Sequence, residues 1–224
     1  AALKAGMVEN GRAGARENLS WLWEQVGAVG DMRLADWMNA MFPTPGVVSN
    51  TIENSLPYVM ADAWTRMFSP YSYGPFYQNP LQRIAEKFHY DAVCADADPA
   101  FFVSATNVRT GKIRVFSGAE INTDVILASA CLPTIFKAVE IDGEDYWDGG
   151  YTGNPALFPL FEPELPSDIV IVNINPLERE ETPRDARDIL NRINEISFNS
   201  SLLRELRAIH FVQRLILDGK VADD

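Results

Sequence analysis

The sequence predicts a three-layer α/β/α sandwich with a largely parallel central sheet, and three observations carry that expectation. Helix-period and strand-period segments alternate along the chain, the pattern that builds mixed α/β layers. Residues Asp168 to Asn173 form a continuous β-branched run, the composition of a strand covered on both faces. At 224 residues and 47% apolar content the chain can bury one sizeable core, so one domain is the default. Residues 176–224 read as a helical extension of that same domain.

Taken in order, Ala1 to Ala5 are strong helix formers with no capping residue before them, and Gly6 closes the segment. It reads as the last turns of a helix that starts upstream. Arg16 to Val26 is a second helix, with Leu19, Leu22, Trp23 and Val26 on one face. Residues 29–53, with two prolines and two glycines, allow only short helical pieces. A helix from Leu56 to Phe68 leads into an aromatic loop containing Tyr71, Tyr73, Phe76 and Tyr77. Asn79 then caps a helix with Pro80 at its first position and Leu81, Ile84, Ala85 and Phe88 on its buried side.

The centre reads as sheet. Phe101 to Thr106 and Lys112 to Phe116 are short strands around a Thr110-Gly111 turn. Thr123 to Cys131 is a buried helix that stops before Pro133. Ala138 to Ile141 and Asp145 to Trp147 flank Asp142-Gly143, a strong two-residue hairpin signal. Pro155 to Pro166 is short and apolar, a packed surface loop. From Thr182-Pro183 the chain is helical to about Leu217, with a break expected near Asn199.

A net charge of −12 argues against a nucleic-acid partner, which requires clustered Lys and Arg, and against electrostatic docking on anionic lipid. Any transient membrane-surface contact must then come from apolar side chains. Cys94 and Cys131, both in apolar stretches and without a CxxC pair, read as buried thiols of a reducing, cytoplasmic compartment. The longest mostly apolar run, Val125 to Leu132, is too short to span a bilayer. The last helix, with Leu202, Leu203, Leu206, Ile209, Phe211, Leu215 and Ile216, is apolar on more than one side, which permits a homodimer.

The chemistry lies in Trp147-Asp148-Gly149-Gly150-Tyr151. An acid at a strand end, followed by two glycines that leave space beside it, suits a general base. Asp-Gly-Gly alone is a weak signal, since most such tripeptides are turns. The surroundings strengthen it. Ala128-Ser129-Ala130-Cys131-Leu132-Pro133-Thr134-Ile135-Phe136, then Asp148-Gly149-Gly150, then Asn154-Pro155, resembles the C-terminal signature of the patatin-like phospholipases. Asn79-Pro80-Leu81 and the paired strands of Phe101 to Phe116 match that family in order and spacing, so the resemblance runs from about Ala1 to Asn175.

The resemblance implies a lipid acyl hydrolase with a Ser-Asp dyad and no cofactor. Asp148 is the one catalytic position that carries over, acting on a lipid or other acyl-ester substrate. The family's other parts are a Gly-rich oxyanion loop and a G-x-S-x-G elbow, and neither occurs in these residues. The N-terminal strands and the nucleophile serine are therefore expected in a missing N-terminal segment. An incomplete chain, a cleaved polypeptide and a truncated reading frame all remain open. The alternative is a non-catalytic scaffold that binds a lipid or protein partner.

Competing motifs are weaker. His89, at a helix end, and His210, in the last helix, have structural readings, and a dyad needs neither. Two histidines without ligand spacing offer no metal site. Asp96-Ala97-Asp98 precedes a proline and reads as a solvated loop. The aromatic cluster Trp64 to Tyr77 has two readings. One is a satellite core; the other is a lid at a lipid interface, with Met60, Met67, Phe68 and Phe76 lining an acyl channel.

Overall fold

Two tight turns set the sheet. Asp142 (φ 55°) and Gly143 (φ 78°) both take positive φ, the two-residue geometry whose twist matches the flanking strands. They join β3 (Val139–Ile141) to β4 (Glu144–Asp148). The other hairpin joins β1 (Phe102–Asn107) to β2 (Ile113–Ser117). There the Asn107 side-chain carbonyl accepts the N–H groups of Arg109 and Thr110 at 3.1 and 2.9 Å, and Gly111 turns the chain at φ 65°. The computed structural model describes residues 1–30, 69–133 and 135–221. The predicted helix Leu56–Phe68 and the pieces expected beyond Gly30 lie outside the described residues.

Strand order is β2-β1-β4-β3, and all three pairings are antiparallel. This corrects the expectation of a largely parallel sheet: two of the pairings are short hairpins, which can join only antiparallel strands. The run 168–173, expected as a buried strand, is irregular backbone in the structure. Val170, Val172 and Ile174, which alternate onto one side, are 89%, 83% and 90% exposed, so that side of the run is not covered by the described residues. The α/β class stands; parallel pairing does not appear among the described residues.

The strands alternate between two environments. Val103 and Ala105 of β1, Phe116 of β2, Ile141 of β3 and Tyr146 of β4 belong to one buried cluster. Val125 and Ala128 of α4 (Thr123–Ser129) complete it, and Asn122 starts that helix by accepting the Val125 N–H at 3.0 Å. Val93 of α3 (Tyr90–Val93) and Ala5 seal its edge. Full burial of each valine, isoleucine or phenylalanine among them stabilises by roughly 1.5–3 kcal/mol. Ser104 and Thr106, one residue out of phase, face the other way.

Three helix expectations change. The segment of Ala1 to Ala5 does not end at Gly6. Helix α1 (Ala2–Gly30) continues and bends instead at Asn10-Gly11, where the backbone leaves helical geometry. Gly6 is a crossing point: the bend brings Gly14 back onto it so closely that a Cβ on Gly6 would overlap the Gly14 carbonyl. The Asn79 helix shrinks to α2 (Gln82–Ala85), with the Asn79 side chain accepting the Leu81 N–H at 2.9 Å. Last, α5 (Ala186–Leu217) runs unbroken through Asn199. That buried amide donates to the Pro176 carbonyl at 3.1 Å, so it fastens the preceding loop to the helix.

Gly6→Ala separates propensity from packing. Alanine is the better helix former by about 1 kcal/mol, yet overpacking at the crossing costs about 1–3 kcal/mol, which predicts a net loss of up to about 2 kcal/mol. A denaturant midpoint that falls supports the crossing; one that rises contradicts it.

Candidate active site

Asp148 ends β4, opposite Ala105 of β1. Its N–H donates to the Cys131 carbonyl at 2.9 Å, and its carbonyl accepts the Thr106 hydroxyl at 2.9 Å. Thr106 Oγ1 also lies 2.8 Å from Thr152 Oγ1. The first bond explains why the Ala-Ser-Ala-Cys-Leu-Pro stretch and Asp-Gly-Gly occur together in this sequence. The chain just beyond α4 supplies the acceptor that holds the acid's backbone.

The carboxylate turns back over the following residues, and its Oδ1 accepts the Gly150 N–H at 2.7 Å. Burial raises the Asp148 carboxyl above its ordinary 3.8, and the Gly150 N–H opposes that rise. A half-buried carboxyl with a single backbone donor is a better proton acceptor than a solvated one.

Both glycines serve packing, which corrects the idea that they open space beside the acid. A Cβ on Gly149 would overlap the Ser104 carbonyl and hydroxyl. One on Gly150 would come within 2.6 Å of the Phe198 ring of α5 and 3.1 Å of the Asp148 carboxylate. Neither residue has positive φ. The turn Gly149–Tyr151 is thus held between β1 below and α5 above, with Tyr151 and Phe198 at 4.9 Å between ring centroids.

The space lies to the side. Asp148 borders a cavity of about 580 Å³ whose walls are mostly apolar, with Leu22 and Val26 of α1, Ile84 of α2, Phe88, and Phe102 of β1 among them. That volume lies in the range of small-molecule sites. Ser104, Ser129 and Asn154 supply polar lining. Ser129 Oγ donates to the Ile126 carbonyl at 2.8 Å, so it is engaged with its own helix. The Asn154 N–H donates to the buried Ser201 of α5 at 2.9 Å.

Other candidates fall elsewhere. His89 is exposed and pairs with Glu9 at 2.6 Å; His210 is exposed on α5, and neither lines the cavity. Asp96 and Asp98 are exposed in a loop. Cys94 and Cys131 donate to the carbonyls of Ile121 and Lys137, both at 3.1 Å. Burial, and secondarily the Asp148 charge, pushes the Cys131 thiol up to about 11. No group able to hold a metal ion occurs among the described residues.

The aromatic segment divides. Tyr71 and Tyr77 accept the N–H groups of Ala138 and Lys137 at 3.1 and 3.2 Å, and the Lys137 ammonium sits 4.8 Å from the Tyr77 ring centroid. These two phenols hold the loop before β3, Tyr71 from a largely exposed position. Trp64, Met60, Met67 and Phe68, with the side chains of Tyr73 and Phe76, lie outside the described residues. The supports missed at the sequence level are Ser104, Thr106, Thr152 and Phe198. Strand alternation marks the first two, since Val103 and Ala105 claim the core face.

A family model for the patatin-like phospholipase domain matches residues 10–161, about two thirds of the chain and all of the Asp148 turn. No curated protein matches the chain.

The direction of the Asp148 shift gives a stability prediction. A carboxyl whose folded value is raised favours folding below 3.8, and that contribution is lost as pH rises through the folded value. Asp148→Asn keeps the acceptor for Gly150 and removes the buried charge. It should therefore melt no lower than the parent at neutral pH, with the difference moving against the variant as pH falls through the raised folded value to 3.8 and levelling off below it. Thermal melts across that range check this; a variant clearly less stable at neutral pH contradicts it.

Proposed function

The chain belongs to the patatin-like phospholipase family, a family of lipid acyl hydrolases, and from that membership we propose that Asp148 is the base of a Ser-Asp dyad. One observation supports the reading above the rest: a half-buried, proton-avid carboxylate stands at the edge of a large apolar cavity. An acyl chain fits such walls, and its ester carbonyl then meets the only acid that borders the cavity among the described residues.

In the proposed reaction the carboxylate takes the hydroxyl proton as serine Oγ attacks the ester carbonyl. Backbone N–H groups hold the oxyanion, and the leaving alcohol recovers the proton as the acyl–serine bond forms. Water, deprotonated by the same carboxylate, then attacks the acyl carbonyl; the acyl–Oγ bond breaks, the proton passes back to serine Oγ, and the fatty acid leaves. No serine among these 224 residues has glycine two positions before it. Ser104 and Ser129, which border the cavity, are fixed against Gly149 and Ile126. The reading therefore takes the nucleophile from a G-x-S-x-G elbow outside these residues. The absence of that motif equally favours the alternative, a scaffold that binds lipid without hydrolysing it.

Fluorophosphonate labelling and p-nitrophenyl ester turnover separate the two. The 224 residues alone should give neither signal. A longer product of the same gene that carries the elbow should give both, and Asp148→Asn in it should lower turnover on the order of 10²–10⁴-fold. Turnover by the 224 residues, or an unchanged rate in the variant, contradicts the dyad.

A further inference from the structure

We propose that the C-terminal half of α5, Leu202 to Leu217, together with the turn Phe158–Leu160, forms a docking surface for an anionic lipid bilayer beside the Asp148 cavity.

The distribution of charge on the helix carries the inference. At 3.6 residues per turn, Arg204, Arg207, His210 and Arg214 follow one face, and Leu202, Leu206, Ile209, Val212 and Ile216 follow the opposite one. Exposed Leu203 and Phe211 lie among the arginines on the same face. All three arginines are exposed, and none makes an ion pair among the described residues. Glu205 is the one acid in this half, and it is occupied at 2.9 Å by the Leu157 N–H. A whole-chain charge of −12 thus hides a local reversal of sign. A basic helix with an apolar opposite face lies in a membrane interface, with its arginines at the headgroups.

The helix is tied to the cavity. Leu157 bonded to Glu205, and Asn154 bonded to Ser201, fasten the segment 154–157 to α5. Pro155, Ala156 and Pro159 of the same stretch line the cavity. Next to them Phe158 and Phe161 are 52% and 53% exposed, large rings left in water at the rim. Aromatic side chains so placed enter an interface readily. Sixteen residues with three arginines do not span a bilayer, and no helix among the described residues is long and apolar enough to do so. The half-helix, about 24 Å long, therefore lies along the surface.

The inference goes beyond the hydrolase reading and leans on it only for its purpose, delivery of lipid to Asp148. Its test requires no turnover. The 224-residue chain is cosedimented with phosphatidylcholine vesicles, with and without phosphatidylglycerol. Retention should need phosphatidylglycerol and should fall as salt screens the headgroups. Arg204→Gln/Arg207→Gln/Arg214→Gln should lower partitioning on the order of a hundredfold, at an unchanged melting temperature. Phe158→Ser/Phe161→Ser should lower it by about tenfold or more. Absence of retention, equal retention on both vesicles, or full retention by the arginine variant overturns the proposal. So does a salt-insensitive dimer that dissociates on Leu206→Ser/Val212→Ser while vesicles capture nothing, since a second copy would then occupy the apolar face. A chain that binds vesicles yet, with its elbow present, hydrolyses nothing upholds the surface and counts against the dyad.

Discussion

Gly149 lies against the Ser104 backbone with no room for a Cβ, and that contact sets the height of the Asp148 carboxylate above the sheet. Strand alternation makes it available: the residues of β1 that leave the core, Ser104 and Thr106, form a polar floor on which the turn can rest. Thr106 fixes the turn at one end through the Asp148 carbonyl and at the other through Thr152. Phe198 closes the turn from above, over Gly150. Each hydrogen bond contributes only about 1 kcal/mol net, so position is decided mainly by sterics. A turn held from both sides has no alternative place for its acid.

The same arrangement sets the electrostatics. A carboxyl gains stability as an anion from each donor that faces it and loses it with each water removed. Asp148 keeps one donor, the Gly150 N–H, and burial outweighs it. Its neighbours follow the same rule. Burial, with the carboxylate close by, keeps both the Cys131 thiol and the Tyr151 phenol protonated. Of these three groups, Asp148 is the one that stands as a proton acceptor, and burial strengthens it in that role.

Much of this was legible in the sequence because it is local. Asp142-Gly143 can make only a tight hairpin, and alternation at residues 102–107 names the core face of β1. Asp148 stood out through its neighbours in sequence. What failed was long-range. Gly6 reads as a helix stop until Gly14 is seen to cross it. Asn199 reads as a break until its amide is found on Pro176. The two glycines after Asp148 suggested open space, because a sequence does not show that Ser104 and Phe198 press on them. The run 168–173 has the composition of a buried strand, but composition cannot supply the partners that would make it one. Whole-chain charge likewise concealed the arginine face of α5, which appears only once the residues are wound on a helix.

The site depends on the Asp148 carboxyl being desolvated and raised by its place beside β1. Carboxyl-carbon NMR titration of that side chain, observed together with the Gly150 amide, tests this directly. Asp148 should titrate above 3.8, and the Gly150 amide should shift at the same midpoint, because the two share a hydrogen bond. Removing the floor with Thr106→Val should bring that midpoint back toward 3.8. A midpoint at or below 3.8 in the unaltered chain would contradict the account.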